Sequence, residues 1–119
     1  MDGIEVTPPH VMLKRKPLNL QEVISVLTTH KDTLVNKFGV IDIAVFGSYV
    51  RNEQRKRSDI DILVELKQES LTFDNYMGLV SFLEKKMRGK VDVVTKGGIR
   101  KELEPIILKE AVHAYDCKE

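Results

Sequence analysis

Three aspartates, a glycine–serine pair and a cluster of basic residues carry the chemistry open to this chain. Asp59 and Asp61 are one residue apart in Ser58-Asp59-Ile60-Asp61-Ile62-Leu63-Val64, and alternation along a strand sends both to one side of a sheet. Asp92 lies in another short apolar run, Val91-Asp92-Val93-Val94, which can pack alongside. Upstream, an apolar stretch ends in Gly47-Ser48, and Arg51, Arg55, Lys56 and Arg57 make the densest positive cluster in the sequence. Carboxylates gathered on one face suit a hard divalent cation such as Mg2+, which prefers oxygen; the scattered His10, His30 and His113 and the lone Cys117 offer no such set. Phosphoryl and nucleotidyl transfer use two such ions about 4 Å apart, bridged by carboxylates. In that chemistry Asp59 and Asp61 would hold metal, and Asp92 would complete the site and take the proton of an attacking hydroxyl. Gly47 would let the backbone approach a phosphate, a helix opening at Ser48 would turn N–H groups toward it, and Arg51 would balance its charge.

Each signal also has an ordinary counterpart. Asp-x-Asp pairs occur in ion-pair networks, Gly-Ser after a strand is commonly a plain turn, and a basic run is commonly a solvated loop. What selects the chemical reading is their order: strand, Gly-Ser, basic segment, Asp-x-Asp, strand, then a strand-borne Asp.

The elements that must position these groups follow from hydrophobic periodicity. Asn19 with Glu22 three residues on forms a capping-box pattern. Leu20, Val23, Ile24, Leu27, Leu34, Val35 and Phe38 then recur at helical spacing up to Gly39, predicting a helix over residues 20–37 with an interruption near Thr29 and His30 on the surface. Residues 40–46 predict a buried strand, 48–53 a brief helix, and 59–66 a second strand with Ile60, Ile62 and Val64 facing away from the aspartates. Residues 73–87 predict a helix ended by Gly89, 91–95 a third strand, and 99–115 a helical closing segment broken near Glu104, with Pro105 in a fresh first turn. The expected fold is α/β (α+β): helices packed on a small mixed sheet of three strands or more. Residues 1–18, with Pro8, Pro9, Pro17 and the Lys14-Arg15-Lys16 triplet, read as a loosely held arm, and residues 19–119 as one domain.

Composition narrows the function classes. The chain has 119 residues, enough for one modest core, with 42% hydrophobic and 31% charged residues. A net charge of +1 supplies no global field to recruit nucleic acid or an acidic membrane, so neither is expected as a partner. A single cysteine excludes an internal disulfide and fits a reducing compartment. No apolar run nears the ~20 residues that span a bilayer, and no signal-peptide core is visible, so the expected location is the cytoplasm.

Gly47-Ser48-Tyr49-Val50-Arg51 followed by Ser58-Asp59-Ile60-Asp61-Ile62-Leu63-Val64 resembles the signature of the polymerase-beta-like nucleotidyltransferase superfamily, and the short chain resembles its minimal, MntA-like branch. The likeness extends from about Phe38 to Tyr115, including the closing run Glu110-Ala111-Val112. The resemblance implies a mixed sheet flanked by helices, a phosphate-binding pair at Gly47 and Ser48, metal-binding carboxylates at Asp59 and Asp61 with Asp92 as the third, and ATP or another nucleoside triphosphate with Mg2+. It also implies a small all-helical HEPN partner in a toxin–antitoxin pair, where some members add AMP to a tyrosine of the toxin. Two positions depart from the family pattern: Val50 stands where alanine is frequent, and Asn52 where glycine is. The leading functional expectation is a Mg-dependent nucleotidyltransferase passing AMP from ATP to a hydroxyl on a partner protein. The alternatives are a catalytically silent module that neutralises a helical partner by contact, and the catalytic subunit of a two-chain small-molecule nucleotidyltransferase.

Overall fold

The computed structural model describes residues 18–55 and 58–117; residues 1–17, Lys56 and Arg57, and with them most of the expected arm and half of the basic cluster, lie outside the described residues. The first helix, α1 (Leu20–Thr29), opens as its sequence dictates: Asn19 Oδ1 accepts from the Glu22 N–H at 2.8 Å and Glu22 Oε1 accepts from the Asn19 N–H at 2.9 Å. The chain breaks at His30, and α2 (Lys31–Phe38) follows. His30, expected on the surface, is half-buried at this corner, with its ring edge-on to Phe82. Leu18 packs against the core, and its carbonyl accepts from Gln54 Nε2.

Gly39 caps α2 at φ 70° and turns the chain into β1 (Val40–Phe46). A single turn of 3-10 helix, Gly47–Tyr49, leads toward β2 (Ile60–Leu66); then come α3 (Phe73–Met87), β3 (Val91–Thr95), α4 (Glu104–Glu110) and β4 (Val112–Asp116). The sheet runs β3-β2-β1-β4. β1 is antiparallel to both β2 and β4, while β2 and β3 are parallel and joined through α3 as parallel neighbours require. The sheet is therefore mixed.

The core lies between one face of this sheet and α1, α2 and α3, and includes Leu27, Leu34, Ile43, Val45, Leu79 and Leu83. Ile60, Ile62 and Val64 all point into it, so Asp61 between them faces the other way. Each fully buried Leu or Ile contributes about 1.5–3 kcal/mol, which places most of the stability on the helix-covered face.

Three expectations are corrected. The closing segment is not helical throughout: the helix stops after Glu110, and Val112–Asp116 is a strand. The cause is long-range. Without β4 the backbone of β1 would be an open edge, and β4 closes it with ladder bonds, the Tyr115 hydroxyl on the Val40 carbonyl (2.9 Å), the Cys117 N–H on the Ile41 carbonyl (2.7 Å) and His113 Nδ1 at 2.6 Å from the buried Asp42 carboxylate. The end of α3 is capped by Arg88 at φ 59°, one residue before the expected Gly89. The brief helix expected over 48–53 reduces to the 3-10 turn, too short to sum a helix dipole. Among the described residues no helix is long and apolar enough to cross a membrane.

Candidate active site

Asp61, in the second position of β2, is in register with Phe46 on one side and Asp92 on the other. That register follows from hydrophobic alternation: Val91 and Val93 are buried, which turns Asp92 to the same uncovered face as Asp61. Asp59 sits just before β2 and is exposed, with Ile60 fixed behind it by an N–H bond to the Lys90 carbonyl (3.0 Å). The three aspartates thus come from one end of the parallel β2–β3 pair.

Their charges interact. The Asp61 carboxyl is pushed up to about 6, first because burial strips it of water, then because Asp92 and Asp59 repel its charged form; Arg51 opposes the shift and Glu110 adds to it. Among the described residues, no three Asp, Glu, His or Cys side chains stand close enough to enclose a metal ion. These facts agree, because Coulomb repulsion reaches well beyond the ~2 Å of a Mg–oxygen bond. The donor set suits Mg2+: all oxygen, and carrying surplus negative charge that a cation would relieve.

The chain turns beside Asp61 at Gly47, buried at φ 79°. A Cβ there would collide with the Asp61 carboxylate, so glycine is required twice over, by backbone and by space. The Gly47 carbonyl accepts from the N–H groups of Val50 (3.0 Å) and Arg51 (3.2 Å), and the Ser48 carbonyl from that of Glu53 (2.8 Å), which closes a compact loop. Ser48 is half-buried at its start and Tyr49 is buried beneath. The departure at Asn52 has a structural answer: it takes φ 58°, the left-handed backbone a glycine would supply, and asparagine tolerates it best among other residues. Val50 packs against the core.

Two residues that sequence reasoning did not single out complete the loop. Glu110, at the end of α4, accepts the Gly47 N–H on Oε2 at 2.6 Å and Arg51 Nη1 on Oε1 at 2.7 Å; Glu53 accepts from Arg51 Nε at 3.0 Å. Arg51, expected beside phosphate, is therefore held between two carboxylates, which raise its pKa further, Glu53 first. The sequence carried no signal for Glu110, because the closing helix was expected to run past it and its place in a last turn appears only in the folded chain. Arg55 is exposed, its N–H on Ser58 Oγ (2.7 Å).

Comparison with known proteins agrees with this layout. Residues 27–114 match the nucleotidyltransferase domain family. The protein adenylyltransferase MntA of Thermococcus cleftensis is 40% identical over 96 residues, covering 81% of this chain and 96% of its own. A solved structure described as a minimal nucleotidyltransferase superposes with a TM-score of 0.68 at 29% identity, over 80% of this chain and 95% of that one. A crystal structure of an MntA toxin–antitoxin complex gives 0.60 at 25% identity, over 85% and 75% of the two chains. The chain belongs to the nucleotidyltransferase domain family, as a polymerase-beta-like nucleotidyltransferase of the minimal, MntA-like branch.

Proposed function

We propose that this protein transfers AMP from ATP to a hydroxyl on a partner protein, with Mg2+, as the antitoxin of a pair whose toxin is a small helical HEPN protein. The single observation that carries the reading is the register of Asp61 with Asp92 beside a left-handed Gly47 that packs on the Asp61 carboxylate. Carboxylates and a turn able to meet a polyphosphate thereby share one end of the sheet. The similarity to an adenylyltransferase and to a toxin–antitoxin component supports the choice of AMP and of a protein acceptor.

In this reading Asp59, Asp61 and Asp92 would hold Mg2+, which when bound would offset charge on the phosphates. The β- and γ-phosphates lie against the turn that Gly47 opens and bond to Ser48, with Arg51 balancing their charge. Asp92 accepts the proton as the acceptor oxygen bonds to the α-phosphorus; the bond from that phosphorus to the β-phosphate oxygen breaks, and pyrophosphate leaves. The partner meets an apolar surface at α4, where Ile106 is 62% exposed and Leu103, three residues earlier and so on the same side of the helix, is also exposed.

The test is transfer of label to a co-expressed helical partner. Label on the α-phosphate of ATP should appear on the partner and label on the γ-phosphate should not, and chelating the metal should stop the transfer. Transfer that persists unchanged in Asp61→Asn, or a protein that binds no Mg-ATP, would sink the proposal.

A further inference from the structure

Glu110 joins the far end of the chain to the phosphate turn. It lies 63 residues from Gly47 in sequence, and its carboxylate is shared between the Gly47 N–H and the Arg51 guanidinium. Its side chain is 19% exposed, whereas that of Arg51 is 49% exposed, so the glutamate lies beneath and the arginine faces outward. Arg51 spends Nε on Glu53 and one N–H of Nη1 on Glu110, two of the five donors of its fork. A guanidinium gripped from two sides has its plane fixed, and fixing a fork in advance reduces the ordering cost of each bond it later makes to an oxyanion.

We propose that Glu110 is a positioning residue for the nucleotide site: it pins the Gly47 turn, aims Arg51 at the polyphosphate, and keeps both contacts when nucleotide binds. The inference rests on the nucleotidyltransferase reading above and assigns within it a role to a residue on α4. The opposing role would make the Glu110 carboxylate a stand-in anion that phosphate must displace. The two differ in sign, because removing a stand-in anion tightens nucleotide binding and removing a support weakens it. The outward exposure of Arg51 favours support, since a phosphate can reach the guanidinium without dislodging the glutamate under it.

Mg-ATP titrations of the wild-type chain, Glu110→Gln, Arg51→Gln and the double variant decide the matter. The isosteric Glu110→Gln should bind about tenfold or more weakly, the scale of a lost charge-assisted hydrogen bond. If the glutamate acts through the arginine, it should add little to the loss already caused by Arg51→Gln. A readout on the wild-type chain needs no variant: the Gly47 amide proton, bonded to a carboxylate, should resonate far downfield and stay there on saturation with Mg-ATP. Equal or tighter binding by Glu110→Gln, additive losses in the double variant, or an upfield return of that amide on nucleotide binding would each overturn the proposal. A wild-type chain that binds no Mg-ATP sinks the nucleotidyltransferase reading and this one together; a wild-type chain that binds, beside an indifferent Glu110→Gln, sinks this one alone.

Discussion

The strand β1 is bracketed by two glycines in the same left-handed backbone, Gly39 at φ 70° and Gly47 at φ 79°. At each, the space a Cβ would need is filled by an oxygen-bearing side chain, Ser70 at the first and Asp61 at the second. The surroundings then diverge. Gly39 closes α2, donating to the Leu34 and Val35 carbonyls and accepting from the Lys67 N–H, with a neutral hydroxyl beside it. Gly47 has one carboxylate on its N–H and a second against its α-carbon, and burial, with repulsion from nearby acids, holds the Asp61 proton to about pH 6. One backbone solution thus completes the fold at one end of β1 and at the other gathers negative charge that the fold alone leaves uncompensated.

The largest expected effect separates function from stability at the charged end. Asp61→Asn should reduce AMP transfer by more than the ~100-fold typical of groups that only support a metal ligand, because this residue would bind the ion itself. The same change should raise the melting temperature of the ligand-free protein at neutral pH, since it removes a half-buried charge held among like charges. A variant that loses activity and stability together would break the contrast.

Alanine at the two glycines sharpens it. Gly39→Ala and Gly47→Ala should each cost at least the ~1–2 kcal/mol of a left-handed non-glycine residue, read by chemical denaturation, with the clash adding to it. Only Gly47→Ala should also lose Mg-ATP binding. Equal damage to binding at both positions would show that the two ends do not differ as described.

The smallest expected effect is in the pH dependence of stability. A carboxyl whose folded pKa lies above its unfolded value of 3.8 favours the folded state most at low pH, and that contribution is lost as pH rises through about 6. Stability of the wild-type chain relative to Asp61→Asn should therefore decline between about pH 4 and 6, by less than about 1 kcal/mol because water screens a half-exposed group. Saturating Mg2+ should flatten the decline. A difference between the two proteins that is constant with pH would refute the assigned cause.

What the sequence disclosed was what short-range chemistry writes. The Asn19–Glu22 capping box, the alternation that turns Asp61 away from Ile60 and Ile62, and the matching alternation around Asp92 depend only on neighbours along the chain. What it withheld depends on distant partners. Val112–Asp116 reads as a continuation of a helix until the open edge of β1 is in view, and the pairing of Ala44 with His113 exists only in the folded chain. Glu110 was hidden for the same reason: nothing near it in sequence announces Gly47. Arg51 was visible as a cation, but the two carboxylates that hold it, Glu53 and Glu110, were not.

The central claim is that Asp59, Asp61 and Asp92 converge on a cation opposite the Gly47–Ser48 turn. A crystal structure of the protein with Mg2+ and a non-hydrolysable ATP analogue tests it most directly. The account predicts metal density bonded to Asp59 and Asp61, with Asp92 alongside and the β- and γ-phosphates against the Gly47 turn, bonded to Ser48. Nucleotide bound elsewhere, or phosphates at the turn with the aspartates still apart and metal-free, would contradict it.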